Sequence, residues 1–219
     1  MLKADLHIHT QYSFDCTTSP DEVIRRCQKL RINCIAIADH GSIAGALRVK
    51  EIAPFRVIVA EEVLTPLGEI MGMFLKEQIP TNIPAEEAVR QIKAQNGLVC
   101  LPHPFDQMRG INRQGFDEIR RLLPQIDIIE VFNARALRFG NSNGKALAFA
   151  KENRLLKSAG SDAHIAREIG HAYVEMPEFD DVAGFRQALA QGRIHGAYTC
   201  PMVHAASTFK TLKKKLLRR

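Results

Sequence analysis

Apolar and polar residues alternate from the second position onward. Leu2, Ala4, Leu6 and Ile8 are apolar, with Lys3, Asp5, His7 and His9 interleaved. A period of two predicts a β-strand, on which residues i and i+2 face one side, so His7 and His9 project together. The pattern then changes. Ser19-Pro20-Asp21-Glu22 reads as an N-cap, a first-turn proline and early acids, and the helix that follows gathers Val23, Ile24, Cys27 and Leu30 on one face. Asn33 to Ala38 is a continuous apolar stretch of the kind buried in a parallel sheet. The exchange recurs, with helices predicted at about 43–52, 84–95, 114–123, 142–153 and 182–191. Strands are predicted at about 55–60, 69–75, 97–101, 126–132, 155–159 and 172–176. Strands alternating with helices imply βαβ units and a parallel sheet, and about seven units suggest a closed or nearly closed barrel. A doubly wound open sheet is the alternative.

The chemistry sits at one end of these strands. His9, Asp39-His40, Glu62, His103 and Asp162-Ala163-His164 each follow the C-terminal end of a predicted strand. Barrels and doubly wound sheets both build their sites at that end. The candidate donors are His7, His9, Asp15, His40, Glu62, Glu69, His103, Asp162 and His164, and they include five of the eight histidines. A single ion takes about four to six ligands, so this set predicts two or three divalent ions sharing a bridging carboxylate. Alternation places Glu61 and Glu62 on opposite sides of their strand and does not choose between them.

Composition narrows the picture. The 219 residues fit one domain, and no apolar run is long enough to cross a membrane as a helix. Cys16, Cys27, Cys34, Cys100 and Cys200 are scattered, odd in number and form no Cys-x-x-Cys. With no basic-then-apolar leader at the start, a cytoplasmic protein with reduced thiols is expected. The net charge of +6 lies wholly in residues 210–219, where Lys210, Lys213, Lys214, Lys215, Arg218 and Arg219 face no acid. The body, 1–205, therefore makes no global case for nucleic acid. The basic tail, 206–219, reads as a solvated, frayed helix, with contact to RNA, DNA or an anionic surface as the alternative. No glycine-rich phosphate loop is present, which argues against an NTPase.

Taken in order, Asp5-Leu6-His7-Ile8-His9-Thr10, Ala38-Asp39-His40, Glu62, Leu101-Pro102-His103-Pro104 and Gly160-Ser161-Asp162-Ala163-His164 form a highly specific set. The set resembles the polymerase-and-histidinol-phosphatase (PHP) family of metal-dependent phosphoesterases. The resemblance implies a distorted (β/α)7 TIM-like barrel with a di- or trinuclear site. It implies that His7, His9, Glu62 and Asp162 hold one metal, that Glu62 bridges to a second completed by His103 and Glu69, and that Asp15, His40 and His164 hold a third. It also selects Glu62 over Glu61. Two positions depart from the family pattern: Ala60 replaces a usual glycine, and Glu69 stands where many members have histidine. A carboxylate is a harder ligand than imidazole and shifts preference from zinc toward manganese, iron or magnesium.

The implied reaction is hydrolysis of a phosphate mono- or diester by a metal-bridging hydroxide held by His7, His9, Glu62 and Asp162. A small phosphorylated metabolite, a nucleotide or a short oligonucleotide is the expected substrate, with no membrane partner; the oligomeric state is not indicated. Arg109 and Arg135 fall in loops where similar proteins carry arginines, and a guanidinium fork suits phosphate. Asn133 is expected to orient a ligand or cap its turn. Phe105, Phe132 and Phe139 lie near the expected opening and are candidates to stack on a base, with core packing the stronger expectation for Phe132. His171 is expected to pack or support, and His195 and His204 to be structural or exposed. No segment is long enough for an inserted lid. A metal-dependent amidohydrolase also opens with His-x-His, but the Asp39-His40 and Asp162-x-His164 pairs and the lack of a bridging lysine count against it. A non-catalytic domain that binds metal or nucleic acid is the third alternative.

Overall fold

Among the described residues nine strands form one sheet: β1 (Leu2–Ile8), β2 (Cys34–His40), β3 (Arg56–Thr65), β4 (Gly68–Met73), β5 (Leu98–Leu101), β6 (Ile128–Asn133), β7 (Leu156–Gly160), β8 (Ala172–Met176) and β9 (Arg193–Gly196). Six α-helices connect them: α1 (Pro20–Leu30), α2 (Ala44–Ile52), α3 (Ala85–Ala94), α4 (Arg113–Leu122), α5 (Ser142–Glu152) and α6 (Val182–Ala190). The computed structural model describes residues 1–106, 109–111, 113–137 and 140–199. The expectations for Phe139, Cys200, His204 and the basic tail fall outside them. The start of α1 is as predicted: Glu22 N–H donates to Ser19 Oγ, and the Glu22 carboxylate accepts from Ser19 N–H at 2.8 Å.

The strand order is β7-β6-β5-β4-β3-β2-β1-β8-β9. β1 has partners on both sides, and one side is shared. Its start pairs antiparallel with β8, from Leu2–Met176 to Ala4–Val174. Its end reaches the far edge of the sheet, where Ile8 bridges Ala163 in parallel. There Asp162 N–H donates to His7 O at 2.7 Å and His9 N–H to Ala163 O at 3.0 Å. The sheet thereby curls into a nearly closed α/β barrel.

The sheet is not all parallel, as the βαβ reading expected. β4 runs antiparallel to both β3 and β5, and β8 and β9 are antiparallel too. The reason for β4 is local. Only Pro66 and Leu67 separate β3 from β4, and two residues make a hairpin but never a crossover. β9, unanticipated from the sequence, pairs with β8 at the sheet's edge and is half-exposed.

Two apolar clusters flank the sheet. One contains Ile35, Ile37, Val57, Val59, Ile70, Val99 and Ile129 together with residues of α1 to α5. The other contains Ala4, Leu6, Ala36, Ala38, Ile58, Ala60, Met71 and Ile128 with Phe185 and Leu189 of α6. The first is the outer, helix-facing side; the second is the barrel interior. Parity along each strand then assigns the polar residues. His40 continues the interior series Cys34, Ala36, Ala38, while Glu62 continues Ile58, Ala60. Glu69 shares its face with Met71, and Glu130 with Ile128. β1 switches faces partway: Leu6 belongs to the interior cluster and Ile8 to the outer one. Its pairing with β2 is irregular between Asp5 and Ile8. Such an irregularity re-aims the side chains beyond it, and here it turns His7 and His9 inward.

Candidate metal centre

All nine candidate donors converge at the carboxyl rim of the barrel. Glu62 is central. One carboxylate oxygen lies 3.3 Å from His7 Nε2 and 3.2 Å from His103 Nε2. The other lies 3.3 Å from both His9 Nε2 and His40 Nδ1. Glu69 reaches His103 and His40, each at 3.4 Å. Asp162 Oδ1 lies 3.3 Å from His9 Nε2, and Asp15 Oδ2 lies 3.0 Å from His164 Nε2 and 3.5 Å from His40 Nε2. Glu61, on the outer face, instead accepts from Ile79 N–H at 3.0 Å.

These contacts fit divalent cations better than they fit hydrogen bonding. Glu62 Oε2, Glu69 Oε2, Asp162 Oδ1 and His40 Nδ1 are buried with no hydrogen-bond partner among the described residues. Native structures rarely leave such atoms unsatisfied, and an ion is one standard reason for them. The Nε2 atoms of His7 and His9 face each other at 3.1 Å. Two ligands about 2.1 Å from one ion at tetrahedral or octahedral angles are separated by about 3.0–3.4 Å, which matches these spacings. Four overlapping triads of donors have ligand atoms within 4.8 Å of one another: His9-His40-His164, His7-His103-Asp162, His7-His9-Glu62 and His40-Glu62-Glu69. Their overlap is the arrangement that adjacent ions with shared ligands require. The donors are nitrogen and carboxylate oxygen with no thiolate, since Cys16, Cys27, Cys34 and Cys100 are buried free thiols outside the triads.

Electrostatics point the same way. Burial alone would raise Glu62, but His7, His103 and His40 hold its carboxyl well below the usual range. Burial opposes protonation of His9, yet Asp162 and Glu62 lift its pKa to about 10, and Glu62, Glu130 and Asp162 raise His7 likewise. Without metal, the carboxylates therefore gather protons onto imidazoles. Cations would take the place of those protons. His164 goes the other way, to about 4, through burial and the neighbouring His9.

A model of the PHP domain matches residues 5–55 and one of the PHP-associated region matches residues 140–194. Those spans carry six of the nine donors: His7, His9, Asp15 and His40 in the first, and Asp162 and His164 in the second. The chain belongs to the PHP family. An uncharacterized protein of Methanocaldococcus jannaschii is 35% identical over 182 residues, covering 82% of this chain and 72% of that protein. Among solved structures, a two-domain protein of Bacteroides vulgatus containing a predicted PHP-like metal-dependent phosphoesterase superposes with a TM-score of 0.72 at 16% identity. The match covers 90% of this chain and 65% of that longer one. An amidohydrolase from Chromobacterium violaceum, solved with sulfate and no metal, gives 0.64 at 16% identity over 80% of this chain and 92% of that one. At such identities these two establish the shared fold.

The PHP rim is braced by residues that the sequence reading did not count among the donors. Glu130, on β6, accepts from His7 Nδ1 at 3.1 Å, His103 N–H at 2.9 Å and Asn133 Nδ2 at 2.9 Å. It is the one acid in Ile128-Ile129-Glu130-Val131-Phe132, and a lone charge inside a buried strand was the available signal. Asp39 accepts from Thr10 N–H, Thr10 Oγ1 and Ser13 Oγ, and Ser13 Oγ contacts His9 Nδ1 at 3.1 Å. Glu168 accepts from the backbone N–H of His164 at 2.8 Å and from Arg135 Nη1 at 3.4 Å. His103 and Asp162 have positive φ values of 27° and 52°, a strained backbone of the kind that collects at functional sites.

The expected substrate residues divide. Arg109 donates to Asp162 and, at 3.3 Å, to Asp106, with its side chain 31% exposed at the mouth. Arg135 lies deeper, against Glu168. Asn133 is fully buried; its amide donates to Glu130 and to Asp162 at 3.1 Å, and its Oδ1 accepts from Arg135 N–H. It caps its turn and holds carboxylates in place. Phe105 does not face the opening, because it stacks on Phe116 at 4.8 Å and packs on the outer core. Phe132 packs beside Tyr198 at 5.2 Å. His171 contacts Thr199, and His195 contacts Glu175, both away from the donors. Among the described residues no helix is long and apolar enough to cross a membrane.

Proposed function

We propose that this PHP protein is a metal-dependent hydrolase of phosphate mono- or diesters. The observation that carries the reading is Glu62, whose two carboxylate oxygens each face two imidazoles, inside a ring of buried donor atoms that lack partners. Family membership and the fold support a metal-dependent hydrolase; phosphorus as the reacting centre is our inference from the donor set and the arginines. His7, His9, Glu62 and Asp162 would hold one ion. Glu62, Glu69 and His103 would hold a second, and Asp15, His40 and His164 a third. Zinc, manganese and iron suit these ligands, and the carboxylate at 69 favours the harder of them. Divalent ions, when bound, supply Lewis acidity that lowers the pKa of water and neutralises charge on phosphoryl oxygens.

The chain's own groups do the rest. Glu130, Asn133 and Arg109 fix His7, His103 and Asp162 before substrate arrives, so no reorganisation is needed at the moment of reaction. Arg109, at the mouth, places a permanent positive charge where a non-bridging phosphoryl oxygen would approach. Burial of the rim keeps bulk water away and strengthens each of these interactions. No serine or cysteine nucleophile is required.

The test is a panel of nucleoside bisphosphates, histidinol phosphate, sugar phosphates and short oligonucleotides, with elemental analysis of the purified protein. Hydrolysis of at least one ester, lost on chelation and in Asp162→Ala, is expected. Activity that survives thorough chelation sinks the reading. Turnover of a cyclic amide but of no phosphate ester would assign the site to amidohydrolase chemistry.

A further inference from the structure

In the phosphoesterase reading the donors and Arg109 take the phosphate end of a substrate, and its alcohol end must leave through the open side of the rim. The rim opens on one side. His7, His9, Glu62 and Asp162 have side chains no more than 1% exposed, whereas Asp15 is 27% and Arg109 31% exposed. Asp15 belongs to the loop between β1 and α1, and that loop carries two exposed aromatics beside it. Tyr12 is 43% and Phe14 53% exposed; among the described residues the other exposed large hydrophobics are Met1 and leucines. Phe14 does not hang free. Its ring stacks on the candidate ligand His40, with centroids 5.0 Å apart and planes 27° from parallel. One face is therefore fixed against the donor set, and the exposed area lies on the other face and the edges.

We propose that Phe14 is a shelf on which a flat aromatic ring in the substrate's alcohol portion stacks, so that the preferred esters are nucleotides or aryl phosphates rather than aliphatic phosphates. The proposal rests on the phosphoesterase reading above. An apolar ring left half in water forgoes burial, and a planar partner recovers it over the whole face. His40 holds the ring in place beforehand, so little rotamer entropy is lost on binding. Of the aromatics that the sequence suggested for this role, Phe105 and Phe132 are packed elsewhere, and Phe139 lies outside the described residues.

The experiment compares AMP, phenyl phosphate and glycerol 2-phosphate on the metal-loaded full chain, with Phe14→Ala, Phe14→Leu and Phe14→Trp. Stacking on a protein aromatic is worth a factor of about 5 to 150 in affinity. Phe14→Ala and Phe14→Leu should raise KM for AMP by that factor, with KM for glycerol 2-phosphate changed by less than about twofold, and Phe14→Trp should restore AMP. A response of phenyl phosphate equal to that of AMP means that any flat ring is accepted; a response of AMP alone means that the shelf is fitted to a base. Equal changes in KM for all three esters, or a uniform fall in kcat, would overturn the shelf and leave Phe14 as a support for His40. If the wild type hydrolyses no ester, the phosphoesterase reading fails separately. Equilibrium binding of AMP then decides: weaker binding to Phe14→Ala upholds the shelf, and equal binding removes it.

Discussion

Replacing Glu130 by glutamine removes one negative charge from beneath the rim at nearly constant volume. The carboxylate accepts three hydrogen bonds, from His7 Nδ1, His103 N–H and Asn133 Nδ2, and is only 2% exposed. An amide has one acceptor oxygen and must turn its NH2 toward at least one of those donors. His7 then loses a charge-assisted partner on Nδ1, and its Nε2, which faces Glu62 and His9, becomes a poorer ligand. Loss of such an orienting partner lowers metal affinity by about 10- to 100-fold, or about 1.4–2.7 kcal/mol. The cost to folding should be of similar size, about 1–3 kcal/mol for a buried donor left unpaired. The assay is competition of the protein with a chromophoric chelator for manganese or zinc, alongside urea unfolding of the metal-free form. An affinity within about twofold of wild type, in a variant that folds normally, would refute the role given to Glu130.

Glu62→Gln should lower the number of bound metals per chain by more than one, because its carboxylate faces His7, His9, His40 and His103 at once; elemental analysis reads the count, and loss of a single equivalent would contradict a bridging role. The metal-free protein should lose stability as pH rises. His9 has a folded pKa near 10 against about 6.5 unfolded, so its contribution is full below about 6.5 and gone above about 10. Thermal unfolding across that range should fall for the metal-free form and stay flatter with metal, and a metal-free form equally stable at both ends would contradict it. Gly160→Ala should destabilise the fold by about 1–3 kcal/mol, since its Cβ would lie 2.2 Å from His7 Cβ; urea midpoints measure it, and a neutral result would mean that β7 can move away from β1.

Much of this was legible in the one-dimensional pattern. Strand and helix positions follow hydrophobic period, so β2, α3 and α5 lie within a residue or two of where Ile35-Ala36-Ile37, Ala88-Val89-Ile92 and Ala146-Ala150 place them. Strand direction was not legible, because period two is the same for a parallel and an antiparallel strand; β4 is reversed by a two-residue turn that no periodicity records. Most donors were legible because His9, His40, Glu62, His103, Asp162 and His164 stand just beyond an apolar run. Their supports were not. Asp39 sits beside His40 and points the opposite way, to Thr10 and Ser13, a partnership across 29 residues that only the fold creates. Phe14 and Phe105 look alike in the sequence, and only the packing around them separates a rim aromatic from a core one.

The place where the barrel shuts has a bearing on how the protein breathes. Its two ends are joined, at the carboxyl rim, by the backbone contacts of His7 and His9 with Asp162 and Ala163. Of these, His7, His9 and Asp162 also turn their side chains into the candidate metal centre. A cation there would act as a clasp across the molecule's seam, so amide protons along the first strand should exchange more slowly once it is loaded, and chelation should unzip the fold from that edge.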